Sequence, residues 1–153
     1  MQPIRKIVAP YDFSAPSNEG LQRAIEFAQH FGSELLLVHV ISPPQLMPPA
    51  GPPASPGFTT GSLVQELHDS AETKLNEIQN ERLPKDLQSR IILTEGAPAD
   101  EIARISEEEK ADLIVIATHG WTGWRRFIFG SVAEKVIRLA KCQVLTVPEP
   151  TQH

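Results

Sequence analysis

A single cysteine, Cys142, stands among 153 residues, so no internal disulfide can form. Long apolar runs are missing too. The longest, LLLVHVI (Leu35–Ile41) and LIVIA (Leu113–Ala117), fall far short of the ~20 residues that cross a bilayer. Positive charge is not in excess, and the formal net charge is −5. No basic face or tail marks a nucleic-acid partner. The start of the chain offers only a short apolar stretch, Ile7–Pro10, before it turns polar at Asp12. That is not the pattern of a signal peptide. These absences predict one cytoplasmic domain over residues 1–153, with neither membrane nor nucleic acid as partner.

Familiar chemical motifs are absent as well. There is no G-x-x-x-x-G-K-[ST] phosphate loop and no G-x-G-x-x-G dinucleotide fingerprint. There is no G-x-S-x-G nucleophile elbow. The histidines, His30, His39, His68, His119 and His153, show no metal-ligand spacing, so no metal site is expected. Cys142 has no histidine close in sequence and reads as a buried structural thiol. No paired acid and base stand out, so no catalytic residue is named.

What is present is alternation. KIVAPY (Lys6–Tyr11) suits a strand. Leu21, Ala24, Ile25, Ala28 and Phe31 then fall on one face of a helix, with Ser14 as cap, Pro16 in the first turn and Gly32 at the end. Leu35–Ile41 is apolar on both faces, as in a buried parallel strand. SPPQLMPPAGPPASPGF (Ser42–Phe58) holds seven of the 14 prolines. It predicts an extended, exposed loop, either an insertion or a docking strip for a proline-binding groove. Ser62 and Gln65 offer a capping box for a second helix, striped by Leu63, Leu67, Ala71, Leu75 and Ile78 and closed by Pro84. Arg90–Glu95 is a strand. Gly96 turns the chain, Pro98 lies near a helix start, and Ile102 and Ile105 face inward through about Glu109. Asp112–Thr118 is the next strand. A last helix turns Val132, Val136, Ile137 and Ala140 inward, and Gln143–Val147 is the last strand.

Strands alternating with helices predict an α/β fold: a Rossmann-like, open, parallel five-stranded sheet with four helices on its two faces. With the first strand central and the fourth beside it, the expected order is 3-2-1-4-5. Ligands of such sheets bind at the carboxyl ends of the strands, where strand order reverses. That point joins Ala9–Asp12, with Pro10 and Tyr11 between, to Ala117–Ser131. Asp12 can accept hydrogen bonds from a ribose, or can serve nearby backbone amides together with Ser14. Gly120 and Gly130 let backbone approach a ligand, and Gly130 and Ser131 lead into a helix whose N-terminus favours a phosphate. Ser131 and Glu134 also spell a capping box. Arg125 or Arg126 can add charge, or can be solvated surface arginines. His119 can shape the loop. Trp121, Trp124, Phe127 and Phe129 read as packing, or, where exposed, as a partner surface.

Three segments carry a resemblance to the universal stress protein family: VAPYDFS (Val8–Ser14), LLLVHVI (Leu35–Ile41) and DLIVIATHGWTGWRRFIFGSVAEKVIRLAKCQVLTV (Asp112–Val147). The chain resembles the single-domain type along nearly its whole length, the proline-rich segment excepted. Nucleotide-binding members share G-x-x-G-x9-G-[ST]. The matching positions are Ala117, Gly120, Gly130 and Ser131, with alanine where the motif has its first glycine. Gln143 stands where similar sequences commonly carry proline. The resemblance implies phosphates held at Gly120, Gly130 and Ser131 beside Val132. It implies ribose at Asp12 and adenine between Pro10 and Val40. It also implies a homodimer through the last strand, 143–147, which would cover an otherwise free sheet edge. The expected ligand is ATP, or ADP or AMP, with Mg²⁺ as an option. The expected role is a nucleotide-responsive module of the stress response with an unidentified protein partner. A slow ATPase or nucleotidyl-transfer enzyme is one alternative. A nucleotide-free dimeric interaction protein is the other.

Overall fold

Ile7, Val8 and Ala9 have no solvent exposure. A strand apolar on both faces belongs inside a sheet that is covered on both sides. The computed structural model, which describes residues 2–42, 60–118 and 130–148, places β1 (Lys6–Pro10) in that position. The other described elements follow as α1 (Ala15–Phe31), β2 (Glu34–Ile41), α2 (Thr60–Arg82), β3 (Ser89–Glu95), α3 (Pro98–Glu108), β4 (Leu113–Thr118), α4 (Ser131–Leu139) and β5 (Gln143–Pro148). The sheet runs β3-β2-β1-β4-β5 with every pairing parallel. This is the α/β fold that the alternation predicts, in the expected strand order.

Strand residues divide between two cores by parity. Ile7, Leu35, Leu37, Leu113 and Val115 pack under α1 and α2 with Leu21, Ala24, Ala28 and Leu75. Val8, Leu36, Val38, Ile114 and Ile116 pack under α3 and α4 with Ile102, Ile105, Ala133 and Val136. Truncating a side chain as buried as Leu37 or Ile114 to alanine costs about 2–5 kcal/mol.

Local signals fix most boundaries. Ser14 caps α1, its Oγ accepting the Ser17 N–H at 3.3 Å. Gly32 ends α1 in the left-handed region, φ 67°. Pro98 opens α3, with Asp100 and Glu101 in the first turn facing the positive end of the helix dipole.

Four expectations need correction. Phe31 is 41% exposed: it keeps the angular position of the stripe but is the last residue of α1, and its ring meets those of Phe27 and His30. α2 begins at Thr60, so Ser62 lies inside its first turn rather than at its cap. In α4, Ala133 and Val136 are the buried residues, while Val132 and Ile137 are 37% and 45% exposed. At ~100° per residue, Val132 and Ile137 flank the buried line. Lastly, the cap of α4 is Gly130, whose carbonyl accepts the Glu134 N–H at 3.0 Å. Ser131 is therefore the first helical residue, and Glu134 pairs with Arg138 instead of closing a capping box.

The amino ends of the strands are tied by charge. Asp112 Oδ2 accepts the backbone N–H groups of Arg5 and Lys6 at 2.7 and 3.0 Å. Arg90 bridges Glu34 and Glu109, each at 2.6 Å, and Lys6 reaches Glu109 at 3.0 Å. The Arg90 guanidinium, then the Lys6 ammonium, hold the Glu109 carboxyl below its ordinary range.

Candidate functional site

The carboxyl ends of the strands open where β1 and β4 part. Their register pairs Ile7 with Leu113 and Val8 with Ile114 and continues no further among the described residues. Beyond that point a cleft forms. Its floor includes Pro10, Val38, Val40 and Ile116, and three helix N-termini reach its rim: Ser14–Ser17 of α1, Pro98 of α3 and Gly130–Ala133 of α4.

The first lip is the turn from β1 into α1. Tyr11 is buried, donates its N–H to the Val38 carbonyl at 2.8 Å and its hydroxyl to Asn18 Oδ1 at 2.6 Å. Burial pushes its phenol pKa up. Asp12 is exposed and turned into the cleft. Its Oδ1 accepts the Ser14 N–H at 3.0 Å and the Ser14 hydroxyl. The local role foreseen for Asp12 and Ser14 is therefore real, and it occurs within the cleft. Phe13 holds φ 65°, a left-handed conformation that costs a bulky residue about 1–2 kcal/mol. Strain of that kind collects at ligand-binding turns.

The second lip runs from β4 to α4. Ala117 is a regular strand residue, paired with Val147. Phe13 and Lys110 are the positive-φ residues other than glycine among those described, so alanine at 117 carries no backbone strain. Gly130 is extended, φ −53° and ψ 142°. Conformation does not demand glycine there, but proximity to a ligand would. Among the described residues no side chain caps α4. Its first-turn amides thus face the cleft with the partial positive charge of a helix start.

The cleft gathers most of the residues marked in the sequence: Pro10, Tyr11, Asp12, Val40, Ala117, Gly130, Ser131 and Val132. Ala9 does not reach it. That residue is fully buried in the core under α1 and supports the lip from behind. His119, Gly120, Arg125 and Arg126 lie outside the described residues, as do the tryptophans and residues 43–58 of the proline-rich segment. Sequence reasoning passed over His39 and Ser17, which also line the cleft. The signal for His39 was available: one polar residue inside the apolar run of β2 must have a buried partner. Among the described residues lining the cleft, Asp12 is the carboxylate and no lysine or arginine appears. No three His, Cys, Asp or Glu side chains gather as metal ligands among the described residues. Cys142, just past the C-terminus of α4, is half-buried against the core under α3 and α4, and burial raises its thiol pKa, which suits an inert thiol.

Fold and cleft together define a class: an open, doubly wound α/β domain with a ligand cleft at the switch point between β1 and β4. A family model, described as the universal stress protein family, matches residues 3–148. The chain belongs to the universal stress protein family. It is 36% identical over 150 residues to universal stress protein MJ0531 of Methanocaldococcus jannaschii, a match covering 97% of this chain and 85% of that one. Universal stress protein MJ0577 of the same organism is 30% identical over 152 residues, 94% of either chain. The solved structure of MJ0577 aligns at a TM-score of 0.80 with 28% identity, over 99% of this chain and 100% of that one. A universal stress protein from Archaeoglobus fulgidus, solved in complex with dAMP, shares the fold at a TM-score of 0.59 and 24% identity, over 95% and 98% of the two chains. No helix among the described residues is long and apolar enough to cross a membrane.

Proposed function

We propose that the cleft binds an adenine nucleotide, ATP in the full reading, and that the chain is a cytoplasmic, nucleotide-responsive module of the stress response. One observation carries this. The N-terminus of α4, at Gly130–Val132, faces the Asp12 turn across an apolar floor. A helix start suits phosphate, a carboxylate suits ribose hydroxyls, and an apolar slot suits a base. Pro10 and Val40 would hold adenine, Asp12 the ribose, and Gly130 and Ser131 the phosphates. Gly120 with His119 and Arg126 would complete the phosphate side. Tyr11 and Ala117 would shape the two lips. Mg²⁺ would enter on the triphosphate, held by its oxygens and by retained waters. The dAMP complex of the Archaeoglobus fulgidus relative supports an adenine nucleotide as the ligand class.

The test is direct. The purified protein is denatured and the released nucleotide analysed; the emptied protein is then titrated with ATP in a calorimeter. Saturable binding is expected, and no binding at millimolar ATP overturns the reading. Gly130→Val is the sharper probe. Valine tolerates an extended backbone, so the fold should persist. Its side chain enters the phosphate side, so affinity should fall by tenfold or more, about 1.4 kcal/mol. Unchanged affinity would remove Gly130 from the site.

We further propose a homodimer through β5, the free edge at residues 143–147. It is the outermost strand beside β4, and Val144, Leu145 and Thr146 are half-exposed there.

A further inference from the structure

His39 interrupts the apolar run of β2, and it is only 6% exposed. A buried imidazole needs a partner for its polar atoms. The β1–β2 register ends at Pro10 and Val38. One residue further on, the Tyr11 carbonyl is met by the His39 side chain, with Nδ1 at 2.7 Å. A carbonyl can only accept, so Nδ1 carries the proton. The same ring lies against Phe13, centroids 4.8 Å apart. Phe13 in turn meets Tyr11 edge-on at 5.3 Å, and Lys74 Nζ of α2 sits 5.6 Å from its centre.

His39 therefore grips the turn twice, by the carbonyl of Tyr11 and by the ring of Phe13. Asp12 lies between the two. Its backbone runs from a carbonyl that is hydrogen-bonded to a residue whose φ is 65°. Without the grip, Phe13 is free to relax out of the left-handed region, and the Asp12 carboxylate turns with it. Ser14 meets Oδ1 from the helix side.

We infer that His39 is a positioning residue that aims the Asp12 carboxylate at the ribose, and so sets how strongly the cleft prefers a nucleotide with an intact ribose diol. This rests on the proposed adenine-nucleotide reading of the cleft. The role belongs to Nδ1–H, not to the bulk of the ring.

The experiment compares AMP with 2′,3′-dideoxy-AMP by calorimetric titration of the full chain. Wild type is expected to prefer AMP by about tenfold, the worth of hydrogen bonds to a carboxylate. His39→Leu keeps apolar bulk beside Phe13 but loses the donor. Its preference should fall to within about twofold. His39→Asn places an amide N–H where Nδ1–H was and should restore the preference. His39→Gln places its amide beyond that point and should not. Should His39→Leu fail to fold, the Asn and Gln pair, alike in polarity, still decides the question. Retention of the preference in His39→Leu and His39→Gln overturns the inference. So does an equal loss of both ligands that asparagine does not repair, which would mark a merely structural role. Failure of wild type to bind either nucleotide overturns the cleft reading itself, and the inference falls with it.

Discussion

Gly20 and Ala117 meet where α1 crosses β4. A Cβ on residue 20 would stand 3.1 Å from the Ala117 nitrogen and 3.2 Å from its Cβ. The Ala117 methyl is thus spent on the α1 side, against a glycine. Its departure from the family motif is plain in the sequence; its compensation is not, because the two positions are brought together only by the fold. Alanine in a helix gains about 1 kcal/mol over glycine. Overpacking against a paired central strand costs about 1–3 kcal/mol. Gly20→Ala should therefore lower stability slightly, by up to about 2 kcal/mol, in urea unfolding. Ala117→Gly removes one of the two contacts. In that background Gly20→Ala should be less harmful or beneficial, with a coupling of at least about 0.5 kcal/mol in a double-mutant cycle. Strictly additive effects would show that the contact is slack. His39 makes the same point about legibility. Its place in an apolar run signals a buried partner, but only the structure identifies that partner as the Tyr11 carbonyl.

Among elements, the helices were read most reliably where punctuation was strong. Ser14, Pro16, Gly32 and Pro98 each act locally, and each acts as its residue type dictates. The capping box at Ser131 and Glu134 misled because Gly130 already supplies the non-helical residue and the accepting carbonyl. Ile137 misled because α4 touches the sheet along one narrow line, through Ala133 and Val136. The element that remains to be tested is β5. If it pairs with its copy about a two-fold axis, each edge residue meets its own kind or a near neighbour. Thr146→Lys places like charges close across that axis, which opposes pairing. Sedimentation velocity should show wild type as a dimer and Thr146→Lys shifted toward monomer, with its melting transition still cooperative. An unshifted dimer would move the interface elsewhere.

At the scale of the molecule, the sheet has a charged end and a ligand end, and strand direction separates them. The charged end carries a pH signature. Glu109 is held below its ordinary pKa by Arg90 first and Lys6 second. A depressed carboxylate stabilises the fold above its unfolded value, about 4.3, and that contribution is lost as pH falls through the lower folded value. Arg90→Ala should destabilise at pH 7 and lose less on acidification, so urea midpoints of variant and wild type should converge as pH falls below the ordinary carboxylate range. A constant gap across that range would show that the bridge does not titrate with folding. Alternation forecast the parallel sheet, because periodicity is a property of neighbours in sequence; the order of the strands is set by long-range packing. The network of Lys6, Glu34, Arg90 and Glu109 was invisible, since its members come from four places in the chain. The short register of β1 with β4 was equally hidden, and it has a consequence of its own. Two rungs make a thin weld between the half-sheet β3-β2-β1 and the half-sheet β4-β5, and the helix α1 laid across it acts as the clasp. A molecule lodged in the gap above those rungs bears on both halves at once. Occupancy would then be registered as rigidity of the entire domain, which any partner reading its outer surface could sense without touching the ligand.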